Sequence, residues 1–135
     1  MRDFTDSELD LMFSKAAPID GCDQDEWRLD ASGAIIRRSS YGRTDRLYGW
    51  EVDHIVPESL LRAKGVPQEM IDDDINLRPL NWNNNVSKGD DYPIYKIVME
   101  ADMFQESNDT ASKFDKISEA MQSRLMDFYR DYISL

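Results

Sequence analysis

Cysteine and histidine are almost absent from this 135-residue chain, which holds one of each, Cys22 and His54. A single cysteine excludes an intrachain disulfide, and nothing beside Cys22 in the sequence would activate its thiol as a nucleophile. Long apolar runs are missing too. None approaches the roughly 18 residues of a membrane-spanning helix, and Met1 to Asp10 is acidic rather than the cationic lead of a signal peptide. A cytoplasmic location without a membrane partner is therefore expected. Basic residues are scarce, 16 against 27 acidic ones, for a net charge of −11. That balance excludes the broadly cationic surface that usually marks unassisted nucleic-acid binding. The deficit is uneven. Residues 1–34 carry 3 basic and 9 acidic side chains, residues 35–96 carry 9 and 10, and residues 97–135 carry 4 and 8. The middle of the chain is near neutral and its flanks are acidic.

With 41% apolar and 32% charged residues, and no repeat or low-complexity linker, residues 1–135 read as one domain of the α+β class. Asp6 or Ser7 caps a short helix whose apolar positions Leu9, Leu11, Met12 and Phe13 run to about Lys15. Trp27 to Arg38 reads as two strands around a Ser-Gly turn, and Trp50 to Val56 as a strand stopped by Pro57. Leu77 to Leu80 is extended because a residue before proline avoids helix. Asn81 caps a helix from Trp82 to Lys88, with Gly89 at its end. Ile94, Ile97, Val98, Ala101 and Phe104 recur at helical spacing. So do Phe114, Ile117, Met121, Leu125, Phe128 and Tyr132 in a last helix from Thr110 to Tyr132. The segment 93–135 is thus expected to be a helical extension.

Chemistry concentrates around the lone histidine. Imidazole is the one side chain whose unperturbed titration falls near neutral pH, so His54 is the candidate general base. Its neighbour Asp53 offers a carboxylate, and Asn85 an amide oxygen, to a hard divalent cation such as Mg²⁺ or Mn²⁺. A sparse set of protein ligands leaves coordination positions for water and phosphate, as phosphodiester hydrolysis requires. Arg37, Arg38, Arg43 and Arg46 form the only basic cluster, interleaved with Tyr41 and Tyr48. They are either phosphate contacts or solvated residues paired with local acids. Asp72, Asp73 and Asp74 read as a solvated loop, since the alternating ligand spacing of a calcium loop is absent.

Three blocks in order, Asp53-His54-Ile55-Val56-Pro57, Asn76-Leu77-Arg78-Pro79-Leu80 and Asn85-Val86-Ser87-Lys88-Gly89, resemble the HNH endonuclease family of the ββα-metal (His-Me finger) class. Asp30 to Gly42 also resembles the lead-in strands of small bacterial and phage members, so the similarity spans about residues 28–92. The resemblance implies a ββα-metal core with a flanking N-terminal helix and C-terminal amphipathic helices. It implies a metal-dependent endonuclease acting on DNA or RNA, with His54 as general base and Asp53 and Asn85 as ligands to Mg²⁺ or Mn²⁺. Asn76 would fix the loop and the base through hydrogen bonds, and Lys88 would contact a phosphate. One departure is plain. Where many members carry Cys-x-x-Cys pairs for a structural zinc, this chain reads Asn81-Trp82-Asn83-Asn84, and no such zinc is expected. An alternative is an acidic interaction or regulatory subunit of the same fold, whose protein partner compensates the negative surface and which has no autonomous nuclease activity. Asn76 also has an alternative as an ordinary turn or cap residue.

Overall fold

The computed structural model of the chain describes residues 2–133; residues 1, 134 and 135 of the expected single domain lie outside them. The chain is α+β. It opens with helix α1 (Asp6–Phe13), capped by Thr5 rather than by Asp6 or Ser7. The Thr5 hydroxyl accepts the Glu8 N–H and the Glu8 carboxylate accepts the Thr5 N–H, a reciprocal capping box. The helix buries Leu9, Met12 and Phe13 along one face. Strands β1 (Ala17–Pro18), β2 (Trp27–Leu29) and β3 (Ile35–Arg37) then form an antiparallel sheet in that order.

The β2–β3 turn is tied into the rest of the molecule by Asp30. Its Oδ1 accepts the N–H groups of Ser32 and Ala34, and its Oδ2 accepts the N–H of Asn81. Burial raises the pKa of this carboxyl and the three backbone donors pull it back only in part.

Strands β4 (Trp50–His54) and β5 (Leu77–Asn81) pair antiparallel, with Trp50 opposite Asn81 and His54 opposite Leu77. Between them lie two short helices, α2 (Glu58–Ala63) and α3 (Gln68–Ile71). Helix α4 (Trp82–Lys88) follows β5 directly. The Asn81 side chain accepts the N–H groups of Asn83 and Asn84, and Gly89 ends the helix, both as the sequence implied.

Strand β4 bridges two apolar clusters. Trp50 and Val52 pack with Leu9, Met12, Phe13, Ile36 and Leu77. Ile55 and Val56, just past the strand, pack with Leu61, Ile71, Tyr95, Ile97, Leu125 and Tyr129. Asp53 and His54 therefore stand where one core gives way to the other.

The expected helical extension is corrected. Strand β6 (Ile94–Asp102) replaces the first of its helices and pairs with β7 (Ser107–Lys116) in a long antiparallel hairpin. The apolar residues admit both periods, and burial decides between them: Tyr95 and Ile97 are buried while Ile94 and Lys96 are exposed, the alternation of a strand. Phe114, assigned to the buried stripe of the last helix, is 72% exposed. Only helix α5 (Glu119–Phe128) remains, capped by Ser118, and the Tyr129 hydroxyl donates to the Met70 carbonyl at 2.7 Å to brace α3.

The approach to β4 depends on Gly49, where an added Cβ would lie 1.7 Å from the carbonyl oxygen of Arg43. Gly49→Ala is predicted to cost about 3 kcal/mol or more in urea denaturation, because backbone must move to relieve the overlap. At Gly33 (φ +90°) an added Cβ meets nothing, so Gly33→Ala should cost only about 1 kcal/mol, from the backbone conformation alone.

Candidate functional site

The cleft beside the end of β4 measures about 230 Å³ and is bordered by Asp53, His54, Pro57, Glu58, Asn85 and Asp90 among others. His54 ends β4 and reaches the first residue beyond α3: its Nε2 lies 2.7 Å from Asp72 Oδ1 and 3.7 Å from Glu58 Oε2. Asp72 is buried, contrary to the solvated loop expected for residues 72–74, and its Oδ2 accepts a hydrogen bond from the Gln68 amide. Burial raises the Asp72 pKa, but the hydrogen bonds from His54 and Gln68 outweigh it and leave the carboxyl below its usual range. An ionised Asp72 accepts the Nε2–H, and that selects the tautomer whose Nδ1 is free to take a proton. Sequence reasoning missed both Asp72 and Glu58. The i, i+4 spacing of Gln68 and Asp72 was the only local hint.

Asn76 is fully buried and aligns this pair without touching the imidazole. Its Oδ1 accepts the Val56 N–H at 2.8 Å, and its Nδ2 donates to the carbonyls of Val56 at 3.1 Å and Ile71 at 3.2 Å. Val56 lies two residues after His54 and Ile71 one before Asp72, so a single amide holds the chain on both sides of the contact. The Asn76 side chain is spent on backbone groups and makes no hydrogen bond to the imidazole.

Asp53 meets a different environment. It is 4% exposed, with Oδ2 at 2.9 Å from Arg78 Nε and Oδ1 at 3.3 Å from Lys88 Nζ. Lys88 also donates to the His54 carbonyl at 3.0 Å. Its side chain is 0% exposed, so the expected phosphate contact is corrected: Lys88 is an internal counter-ion that joins α4 to β4. Burial lowers the Lys88 pKa and Asp53 opposes that, while Arg78 adds to the lowering.

The three consecutive asparagines of α4 divide their work. Asn84 is buried and committed to β6, its Oδ1 accepting the N–H groups of Val98 and Met99. Asn85 borders the cleft with Asp53 and His54, and its side chain makes no hydrogen bond to any described residue. The arginine cluster divides as well. Arg38 is bound to Asp10 and is 20% exposed, Arg37 pairs with Glu26, and Arg43 with Asp45, whereas Arg46 has no ion-pair partner among the described residues.

Two donor sets for a metal border this cleft. One ligand atom each from His54, Glu58 and Asp72 lies within 4.8 Å of the others, so this group can hold a metal ion. The 2.7 Å His54–Asp72 separation is a hydrogen bond, however, and is shorter than the roughly 3 Å between adjacent ligands of an octahedral ion bound at about 2.1 Å. Glu58 is also already paired with Arg62. The second set, Asp53 with Asn85, has a free amide but a carboxylate that carries two cations. A divalent ion there would replace Lys88 at Oδ1. With only Cys22 available, neither set involves cysteine. Comparison of the chain with protein-family models, curated proteins and solved structures finds no match, so no relative identifies an HNH family.

Removing Asp53 strands two buried cations, whereas removing Lys88 leaves a neutral Asp53–Arg78 pair. Asp53→Ala is therefore predicted to cost about 3–5 kcal/mol. Lys88→Met should cost only about 1–3 kcal/mol, from the unsatisfied His54 carbonyl. Urea denaturation of the two variants measures the difference, and the reverse order would refute the counter-ion role.

Proposed function

We propose that this chain is a divalent-metal-dependent phosphodiesterase, an HNH-type endonuclease with nucleic acid as its substrate. The observation that carries the reading is the His54–Asp72 pair at the end of β4. In the neutral imidazole a buried carboxylate that accepts the Nε2–H leaves the free lone pair on Nδ1, and His54 borders a cleft that Asp53 and Asn85 also border. The pairing of β4 with β5 across the inserted α2 and α3, with α4 directly after β5, supports the reading, and His54 and Asn85, more than 30 positions apart in the chain, border one cleft.

In this mechanism His54 accepts the proton of the attacking water at Nδ1. The imidazolium so formed is stabilised by Asp72, as a buried carboxylate stabilises a histidine base in other hydrolases. Asn76 and the α3 backbone hold both partners still, so little reorganisation accompanies the transfer. Asp53 and Asn85 would hold Mg²⁺ or Mn²⁺, which when bound supplies Lewis-acid stabilisation of the phosphate and the leaving oxygen. Arg78 and Lys88 reduce the charge that Asp53 presents, so the affinity for the ion should be modest.

His54→Ala is predicted to lower plasmid nicking in Mn²⁺ by about 10²–10⁴-fold, the usual contribution of a general base. Asp72→Asn should lower it by about 10–100-fold, as loss of an orienting partner does. Equal rates for wild type and His54→Ala at high protein and low salt would overturn autonomous catalysis.

Calorimetric titration with Mn²⁺ locates the metal independently of activity. Asp53→Asn and Asn85→Ala are predicted to weaken binding, with Glu58→Gln near wild type. Loss of binding in Glu58→Gln alone would instead make His54 a ligand and remove it as the base.

A further inference from the structure

The basic cluster carries more than its ion pairs account for. From Ile35 to Tyr48 the chain holds four arginines and a single acid, within a protein of net charge −11. Arg37, Ser39, Ser40, Arg43, Arg46 and Tyr48 line a cavity of about 430 Å³. Its donors outnumber its acceptors. Arg46 has no ion-pair partner, and the Ser39 and Ser40 hydroxyls make no hydrogen bonds to described residues. The pairs Arg37–Glu26 and Arg43–Asp45 are largely exposed, the kind whose net contribution is small and which an entering anion readily replaces. Arginine suits such an anion because its planar fork matches the oxygens of a phosphate. Arg38 does not line this cavity, being held against Asp10.

The position of the cavity relative to the cleft gives the inference its content. The Trp82 indole N–H donates to the Arg46 carbonyl at 2.9 Å, and the Trp82 backbone N–H donates to the Gly49 carbonyl at 3.1 Å. The arginine loop is thereby fixed at the start of α4 and of β4, while His54 lies at the far end of β4. Four residue steps of a strand span about 13 Å.

We infer that the cavity of Arg37, Ser39, Ser40, Arg43 and Arg46 is a phosphate-binding subsite for a nucleic-acid strand, engaging the backbone at a phosphate other than the one at His54, since the cavity and the cleft share no lining residue. This rests on the reading of the His54 cleft as a phosphodiesterase site. It makes the substrate a polynucleotide rather than a mononucleotide or dinucleotide, and it puts the affinity of an acidic protein for a polyanion in one local pocket. Contacts of this kind set register on the strand and carry no sequence information.

The experiment is fluorescence anisotropy of a labelled 12-nucleotide strand, single and duplex, in metal-free buffer at several salt concentrations. Arg43→Ala/Arg46→Ala is expected to weaken binding at least tenfold at low salt and to reduce the magnitude of the log K against log salt slope by about 1.4–1.8, two phosphates' worth. Arg124→Ala/Arg130→Ala, the same charge change outside the cavity, should stay within twofold of wild type. A labelled dinucleotide should bind wild type at least tenfold more weakly than the 12-mer. Equal 12-mer affinity for wild type and the double variant, both folded by circular dichroism, would overturn the inference, as would equal affinity for the dinucleotide and the 12-mer. Hydrolysis by His54→Ala belongs to the other reading: if it persists, the catalytic assignment falls while the binding result stands by itself.

Discussion

A carboxylate that is 4% exposed must find its cations inside the protein, and Asp53 finds one on each of the two elements beside it. Arg78 comes from β5 and Lys88 from α4, so a single buried charge cross-links β4, β5 and α4. Electrostatics of this kind are costly to assemble, since each ion gives up its hydration, but breaking them by removing one partner costs more still. The three elements are therefore held in one relative arrangement. Arg78 is placed in turn by the Tyr95 ring beneath its guanidinium, 5.2 Å away, and Lys88 by the His54 carbonyl. The same cluster orders the backbone of the proposed base and tempers the charge available to a metal. Structure and chemistry compete for one carboxylate.

The second constraint is the Asn76 amide. Apolar packing brings the end of β4 and the end of α3 together, through Ile55, Val56 and Ile71 in one cluster, but packing alone does not set a 2.7 Å contact. Directional hydrogen bonds from Asn76 to Val56 and Ile71 do. From the far side, Tyr129 of the C-terminal region braces α3 through Met70. The His54–Asp72 pair is thus supported from both chain neighbours and from behind, which is what a base needs if its orientation is to survive the approach of a charged substrate.

Legibility varied along the chain for identifiable reasons. Strands β4 and β5 and helix α4 were readable because their signals are local: Pro57 stops one strand, Pro79 keeps its neighbour extended, and Asn81 and Gly89 bracket the helix. Residues 94–116 were misread because Ile94, Ile97, Val98 and Ala101 satisfy a helical period and a strand content at once. The choice between them came from pairing with residues up to 22 positions away and from the Asn84 amide, which binds Val98 and Met99 where the β6–β7 register shifts. Only the fold distinguishes the asparagine spent on β6 from the one left free beside the cleft.

By itself the sequence determined the ingredients: one imidazole and hence one candidate base, one thiol and hence no cysteine-bound zinc, a cluster of arginines in an acidic chain, and two strands and a capped helix within residues 50–88. Those are properties of composition and of short-range periodicity and capping, which need no distant partner. The tertiary structure decided what each ingredient meets. It turned Lys88 from an expected phosphate contact into a buried counter-ion, and Asp72 from a solvent-facing acid into the partner of His54. It left Arg46 without the acid that occupies Arg38. The physical reason is that charge is paired through space and not along the chain. Burial removes the water that would otherwise satisfy each ion, so the fold alone selects the partner.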